Sequence, residues 1–195
     1  MSLLSFIFNT KYSKYPMFLQ YVDCTHRVNG EDYFKVRDVL KAGDLILRGH
    51  DNYLSQFIIP GKYSHSGIYL GDDRVIHSTV ENGVHKSNLV DFMRCDRFMA
   101  LRPEYDKTEI LIHAREYLGK SYDDELEDGD DEYYCHEFVA QVLNDCGFEI
   151  EKIHASTLFG LVKKDIYCAQ SFLNSPHFQK VTEIDWRYSQ QTSRR

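Results

Sequence analysis

The sequence predicts an α+β fold, with an antiparallel sheet packed against helices and a cysteine at the start of one of them. Three observations predict it. Residues 65–70 and 74–79 read as two strands joined by Gly71-Asp72-Asp73, a good hairpin turn. Short strand segments recur around that hairpin, at 44–48, 83–86 and 97–102. Residues 132–146 then carry Cys135, Phe138, Val139, Val142, Leu143 and Cys146 at i, i+3, i+4, i+7, i+8 and i+11, one apolar stripe of a helix.

The elements follow in order. Residues 1–30 are aromatic and show no clear period. Residues 31–42 form a short helix with Phe34, Val36, Val39 and Leu40, and Gly43 sits just past its end. A strand at 44–48 lies between Gly43 and Gly49. A helix at 51–59 is capped by Asp51 or Asn52, carries Leu54, Phe57 and Ile58 on one side, and stops at Pro60-Gly61. After the hairpin and the strand at 83–86, Asn88 or Asp91 starts a short helical turn. Thr108 caps a helix through Leu118, ended by Gly119. Gly147 terminates the helix at 132–146. Residues 148–185 mix short segments with no predictable order, and 186–195 form a polar, frayed tail. No repeat or linker divides the chain, so residues 1–195 read as a single domain.

Composition narrows the function. A net charge of −7 argues against broad nucleic-acid binding, which needs a basic patch. Five cysteines (Cys24, Cys95, Cys135, Cys146, Cys168) without paired spacing make a poor disulfide framework, so reduced thiols and a cytoplasmic setting are expected. Residues 1–8 are apolar but lack a basic region, a weak signal-peptide pattern. No stretch approaches the roughly 18 apolar residues of a membrane span.

Cys135 lies in the first turn of its helix. The positive end of the aligned peptide dipoles favours a thiolate there, and unpaired N–H groups can hold an oxyanion. Its place on the apolar stripe aims the sulfur at the sheet. The competing reading is a buried small hydrophobe, as most free cysteines are. Cys146 shows that default further along the stripe.

His65, 70 positions before Cys135, begins a strand of small residues; Ser64, Ser66 and Gly67 leave room for a working imidazole. His77 lies in the next strand. With a three-residue loop Leu70 pairs with Arg74 and Gly67 with His77, so the two histidines share a face as diagonal neighbours roughly 7–8 Å apart at the backbone. A two-residue turn puts them on opposite faces. Either histidine can instead be a satisfied core residue, or the two can bind zinc with Cys135. His136 follows the nucleophile candidate and reads as structural.

These segments resemble a known family. Gly43-Asp44-Leu45-Ile46, Tyr63-Ser64-His65-Ser66-Gly67-Ile68, Val75-Ile76-His77-Ser78 and Gly83-Val84 are similar to the first half of the circularly permuted papain-like amidases. This is the YiiX-like branch of the NlpC superfamily, with poxvirus relatives and lecithin retinol acyltransferase kin. Gly119-Lys120-Ser121-Tyr122-Asp123 and Tyr134-Cys135-His136-Glu137-Phe138-Val139 are similar to its second half. The resemblance covers about residues 43–143. It implies a permuted papain-like (NlpC-type) fold with Cys135 as nucleophile, His65 as base and His77 as the orienting residue. Histidine at that last position is closer to the acyltransferase branch, where the YiiX-like branch often has glutamate. Glu137 is expected to brace the helix start.

Residues 123–132 are acidic except for Leu126 and Gly129. Such runs are usually solvated loops. Bordering a cleft, this one would favour substrates with an amine or cationic group. Tyr122 and Tyr134 flank the site and are candidates to contact substrate, against the alternative of packing with a satisfied hydroxyl. The expected activity is a cysteine hydrolase that cleaves an amide or peptide bond through a thioester. It would act on a small-molecule, peptide or lipid-derived substrate without cofactor. The alternatives are a lipid acyltransferase or thioesterase, and a non-catalytic binding protein that keeps the fold.

Overall fold

A computed structural model of the chain describes residues 6–7, 10–12, 19–21, 27–53, 61–104, 106–123, 131–157 and 162–186. In chain order the elements are β1 (Thr10–Tyr12), β2 (Leu19–Tyr21), α1 (Gly30–Arg37), β3 (Leu45–Gly49), β4 (His65–Gly71), β5 (Arg74–Thr79), β6 (Gly83–Asn88) and α2 (Leu89–Phe92). They continue with β7 (Arg97–Pro103), α3 (Lys107–Glu116), α4 (Cys135–Asp145), β8 (Ile153–Thr157), β9 (Val162–Ile166), α5 (Ala169–Leu173) and β10 (Phe178–Asp185). One antiparallel sheet has the order β10-β7-β3-β4-β5-β6, and β1–β2 and β8–β9 form two small ladders.

Side-chain alternation splits the core into two layers. Leu45, Leu47, Ile68, Ile76, Met99 and Leu101 pack on Phe138, Val139, Val142 and Leu143 of α4 and on Ile110 of α3. On the other face Ile46, Tyr69, Val75 and Ala100 pack on Val36 of α1 and on Leu89 and Phe92 of α2. Burial on both faces accounts for the continuous apolar run Leu45-Ile46-Leu47.

The hairpin turn between β4 and β5 has two residues. Asp72 and Asp73 both take positive φ (50° and 56°), the conformation of a type I′ turn, and Gly71 pairs with Arg74. By itself this turn would put His65 and His77 on opposite faces. A register shift between Tyr69 and Gly71 adds Leu70 as one extra residue, so Ile68 pairs with Ile76. The bulge offsets the short turn, and the register beyond it is that of a three-residue loop.

Several boundaries differ from the sequence expectations, each for a physical reason. Helix α1 is capped by Asn29 in a reciprocal box with Asp32 and ends at Arg37 rather than 42. Past it the backbone serves the sheet: Lys41 N–H donates to the Asp44 carboxylate (2.8 Å) and Gly43 N–H to the Tyr69 carbonyl (2.8 Å). The cap of α3 is Asp106, which accepts from Thr108 N–H at 2.8 Å; Thr108 is inside the helix. Asn52 has φ 64°, and the Asp51 carboxylate pairs with Arg97. Residues 54–60, which hold most of the helix expected at 51–59, lie outside the described residues. The unordered stretch 148–185 supplies β10, an edge strand paired with β7. Trp186 is anchored, not frayed: its Nε1–H donates to Asp51 at 2.8 Å and the Arg27 guanidinium stacks 3.5 Å above its ring. Residues 187–195 lie outside the described residues. Among the described residues no helix is long and apolar enough to cross a membrane.

The Asp44 side chain is fully buried where β3 begins. Arg102 of β7 grips both its oxygens, Nε to Oδ1 at 2.8 Å and Nη2 to Oδ2 at 2.7 Å. Asp44→Ala leaves the guanidinium only the Val39 carbonyl and Lys41 N–H without its carboxylate acceptor. Urea denaturation is expected to show a loss of about 3 kcal/mol; a loss under about 1 kcal/mol would show the pair to be dispensable.

Candidate active site

The site lies where the sheet forks. The β4–β5 ladder runs from Gly71↔Arg74, past the bulge at Leu70, only to Ile68↔Ile76. Beyond that, β4 continues to His65 against β3, where Arg48 pairs with His65, and β5 continues to Thr79 against β6, where Thr79 pairs with Gly83. Each strand keeps its outer partner and parts from the other. Gly67 sits just before the opening, where a Cβ would come within 3.1 Å of His77 Cβ and 3.0 Å of the Ile76 carbonyl.

The start of α4 lies across this opening. Ser66 Oγ on one arm donates to the Cys135 carbonyl (2.9 Å), and Ser78 Oγ on the other donates to the Tyr133 carbonyl (2.6 Å). Both serines follow a histidine, so the hydroxyls face α4 and the imidazoles take the opposite face. There His65 Nε2 and His77 Nδ1 share a hydrogen bond of 2.7 Å. His77 Nε2 is bonded to Ser87 Oγ of β6 at 2.8 Å. The Phe92 ring lies against both imidazoles, at 5.6 and 5.4 Å between centroids, and the His85 ring lies tilted against His77 at 4.6 Å.

Cys135 is the first residue of α4, and no side chain caps the helix start. Its Sγ–H donates to the Ser64 carbonyl at 3.8 Å, and no hydrogen bond joins the sulfur to the His65 ring. Thiol and imidazoles thus meet the same stretch of β4 from its two faces. Cys135 has no exposed surface and His65 is 9% exposed.

Burial dominates the electrostatics. It pushes the Cys135 thiol up to about 11, against the opposing pull of the Ser66 and His136 N–H groups and the charge of Arg48. The expected thiolate at the helix start is therefore corrected: the resting residue is a thiol. Burial also holds His65 and His77 well below the ordinary histidine value, with the Arg48 charge acting the same way, so both rings are neutral near pH 7.

Sequence reasoning missed Arg48, Ser78 and Ser87 and gave Ser66 only the role of leaving room. Arg48 lies cross-strand from His65 and over the Phe92 ring at 5.0 Å, and its Nη1 donates to the Phe92 carbonyl at the end of α2 (3.3 Å). Ser66, Ser78 and Ser87 supply the hydroxyls. A signal for two of them was present in the repeated dipeptides His65-Ser66 and His77-Ser78, which put an imidazole and a hydroxyl on opposite faces twice over.

Other candidates are placed as follows. Tyr134 is buried and its hydroxyl accepts from Tyr167 N–H at 2.8 Å, a packing role. Tyr122 is half-buried, and Glu137 is buried in the first turn of α4. His136 is buried beside Phe172 with neither ring nitrogen bonded, and burial lowers it to about 3. Cys95, Cys146 and Cys168 are buried cysteines, while Cys24 and residues 124–130 of the acidic run lie outside the described residues. Zinc fits poorly at the pair, because His65 Nε2 and His77 Nδ1 are bonded to each other. Among the described residues no three His, Cys, Asp or Glu side chains gather as ligands.

Three comparisons bear on this arrangement. No curated protein matches the chain. Its fold is similar to that of a solved structure, the metalloprotein yiiX from Escherichia coli O157:H7. That match has a TM-score of 0.63 and 18% identity over 75% of this chain and 99% of that one. Residues 39–182 match the model of the family described as permuted papain-like amidase enzyme, YaeF/YiiX, C92 family. That match spans most of the chain, which belongs to the permuted papain-like amidases of the C92 family, cysteine peptidase- and amidase-like enzymes.

Proposed function

We propose that the chain cleaves an amide or peptide bond through a thioester on Cys135, with His65 as base and His77 as its orienting partner. The observation that carries this reading is the 2.7 Å His65–His77 bond at the fork that the start of α4 spans. With a neutral ring and a neutral thiol at rest, proton transfer accompanies attack. For that transfer the Cys135 side chain must leave the Ser64 carbonyl and reach the His65 ring through the fork, and the sulfur then attacks the substrate carbonyl. N–H groups of the uncapped first turn of α4, Cys135 N–H among them, hold the oxyanion. The imidazolium then protonates the leaving amine, and water resolves the thioester. Because Cys135 is fully covered, substrate entry requires side chains at the fork to move.

A second reading, lipid acyl transfer or thioester hydrolysis, is favoured by one feature, a histidine rather than a carboxylate as the partner of His65. It uses the same nucleophile and differs in the acyl group. Acyl probes separate the two: a lipid-length thioester trapped on Cys135 favours acyl transfer, and a short peptidyl adduct favours the amidase.

Iodoacetamide at pH 7 is expected to label Cys135 ahead of Cys95, Cys146 and Cys168, and His65→Ala to slow that labelling about 100-fold. Equal labelling in the variant would remove His65 as base and leave the fold as a binding scaffold. The pH dependence follows from the lowered imidazoles and the raised thiol. With His65 neutral the rate is expected to be flat from pH 7 to 9, whereas a lone thiol near 11 would gain about tenfold per pH unit.

The buried neutral histidines also tie stability to pH. His65, His77 and His136 have folded values below their unfolded ones, so below about pH 6.5 the unfolded chain binds more protons. Stability is complete above pH 6.5 and is lost as the pH falls. Urea midpoints measured from pH 7 down to 5 are expected to drop, and to drop less in His136→Phe. A midpoint that does not change over this range would show these rings to be charged or exposed.

A further inference from the structure

The hydrogen-bonded chain does not end at His77. Its Nε2 meets Ser87 Oγ at 2.8 Å, and among the described residues it has no other partner. Ser87 and His85 come from the same strand, β6, where His85 is directly opposite His77 and Ser87 two residues further on the same face. No hydrogen bond joins His85 to His77: the two rings meet tilted by 43°, and His85 Nδ1–H donates to the Gly83 carbonyl at 2.9 Å. Phe92 covers the rings and offers neither donor nor acceptor to them.

Two neutral imidazoles joined Nε2 to Nδ1 allow only two proton arrangements. In the first, His65 Nε2–H donates to His77 Nδ1, and His77 Nε2–H donates to Ser87 Oγ. His65 Nδ1 then carries a free lone pair. In the second every bond reverses: Ser87 Oγ–H donates to His77 Nε2, His77 Nδ1–H donates to His65 Nε2, and His65 Nδ1 already holds a proton. Only the first leaves a nitrogen able to take the proton of Cys135. The hydroxyl at the far end of the chain, two rings from the sulfur, therefore bears on whether the base is available.

We propose that Ser87 is a positioning residue. By accepting from His77 Nε2 it holds both imidazoles in the Nε2–H tautomer and so keeps His65 Nδ1 open as base. An N–H buried without an acceptor is costlier than a vacant lone pair, so removing the hydroxyl pushes the chain toward the reversed arrangement. When Sγ–H gives its proton to His65 Nδ1, a thiolate and an imidazolium form. The imidazolium Nε2–H still donates to His77, whose own Nε2–H remains on Ser87. The inference rests on the reading of His65 as base and names what sets its tautomer.

Nitrogen-15 NMR of histidine-labelled full-length protein at pH 7 tests it directly. Unsubstituted protein is expected to show His65 and His77 protonated at Nε2, with both Nδ1 signals unprotonated; a protonated Nδ1 on His77 overturns the proposal without any variant. In Ser87→Ala the Nδ1 signals are expected to shift toward the protonated form. Iodoacetamide labelling of Cys135 should slow about tenfold, the scale of one buried hydrogen bond. Ser87→Thr, which keeps the hydroxyl, and Ser87→Asp, which can only accept, should restore the Nε2–H tautomers and the rate. Ser87→Ala with unchanged tautomers and rate overturns the role of Ser87. His65→Ala distinguishes the two levels. If it slows labelling while Ser87→Ala does not, only the role of Ser87 falls; if it has no effect, the base assignment falls and Ser87 with it.

Discussion

The parting of β4 from β5 is the constraint on which the site depends. A continuous ladder at this point would leave no place for a helix start, and the backbone would consume its own hydrogen bonds. Instead β4 keeps β3 and β5 keeps β6, and the hydroxyls of Ser66 and Ser78 reach from the two arms to carbonyls of Cys135 and Tyr133. Those two bonds hold the start of α4 and the residues leading into it, and packing of Phe138, Val139 and Val142 on Ile68 and Ile76 holds the rest. On the far face the His65–His77 bond closes the same gap. The fork is thus bridged from both sides by side chains that alternate along two strands.

Burial also sets the chemistry. A helix N-terminus is worth about 0.3–1 kcal/mol to a nearby anion, up to about 2 in sheltered geometry. Raising a thiol from 9.0 to about 11 disfavours the thiolate by about 3 kcal/mol. Desolvation wins, and the cation of Arg48 is not enough to reverse it. The same burial keeps both imidazoles uncharged. On the proposed reading of His65 as base, a neutral base and a neutral thiol would separate charge only during reaction, and the identity of the protonated ring nitrogen, rather than the charge of the resting site, would govern reactivity.

Much of the arrangement was legible in the chain. The stripe from Cys135 to Cys146 specified α4 and aimed its sulfur at the sheet. The β4 and β5 segments were readable from their flanking turn, and the motif order pointed to Cys135, His65 and His77. Other features were not. Residues 148–185 carry no period, because β10 is an edge strand whose burial comes from β7 and not from its own alternation. The end of α1 was misread because Asp44, seven residues past the last helical residue, claims the backbone that would have continued it.

What the sequence by itself determined is local: which segments alternate, where a helix starts, and which residue types could exchange a proton. Whether His65 and His77 share a face was decided by one bulged residue, Leu70, acting against a two-residue turn. A strand pattern does not reveal this, because a shift of one residue leaves the pattern intact and inverts every side chain. The neutral state of Cys135 was likewise a tertiary outcome. Desolvation depends on what closes over an atom, and the covering groups come from strands and helices distant in the chain.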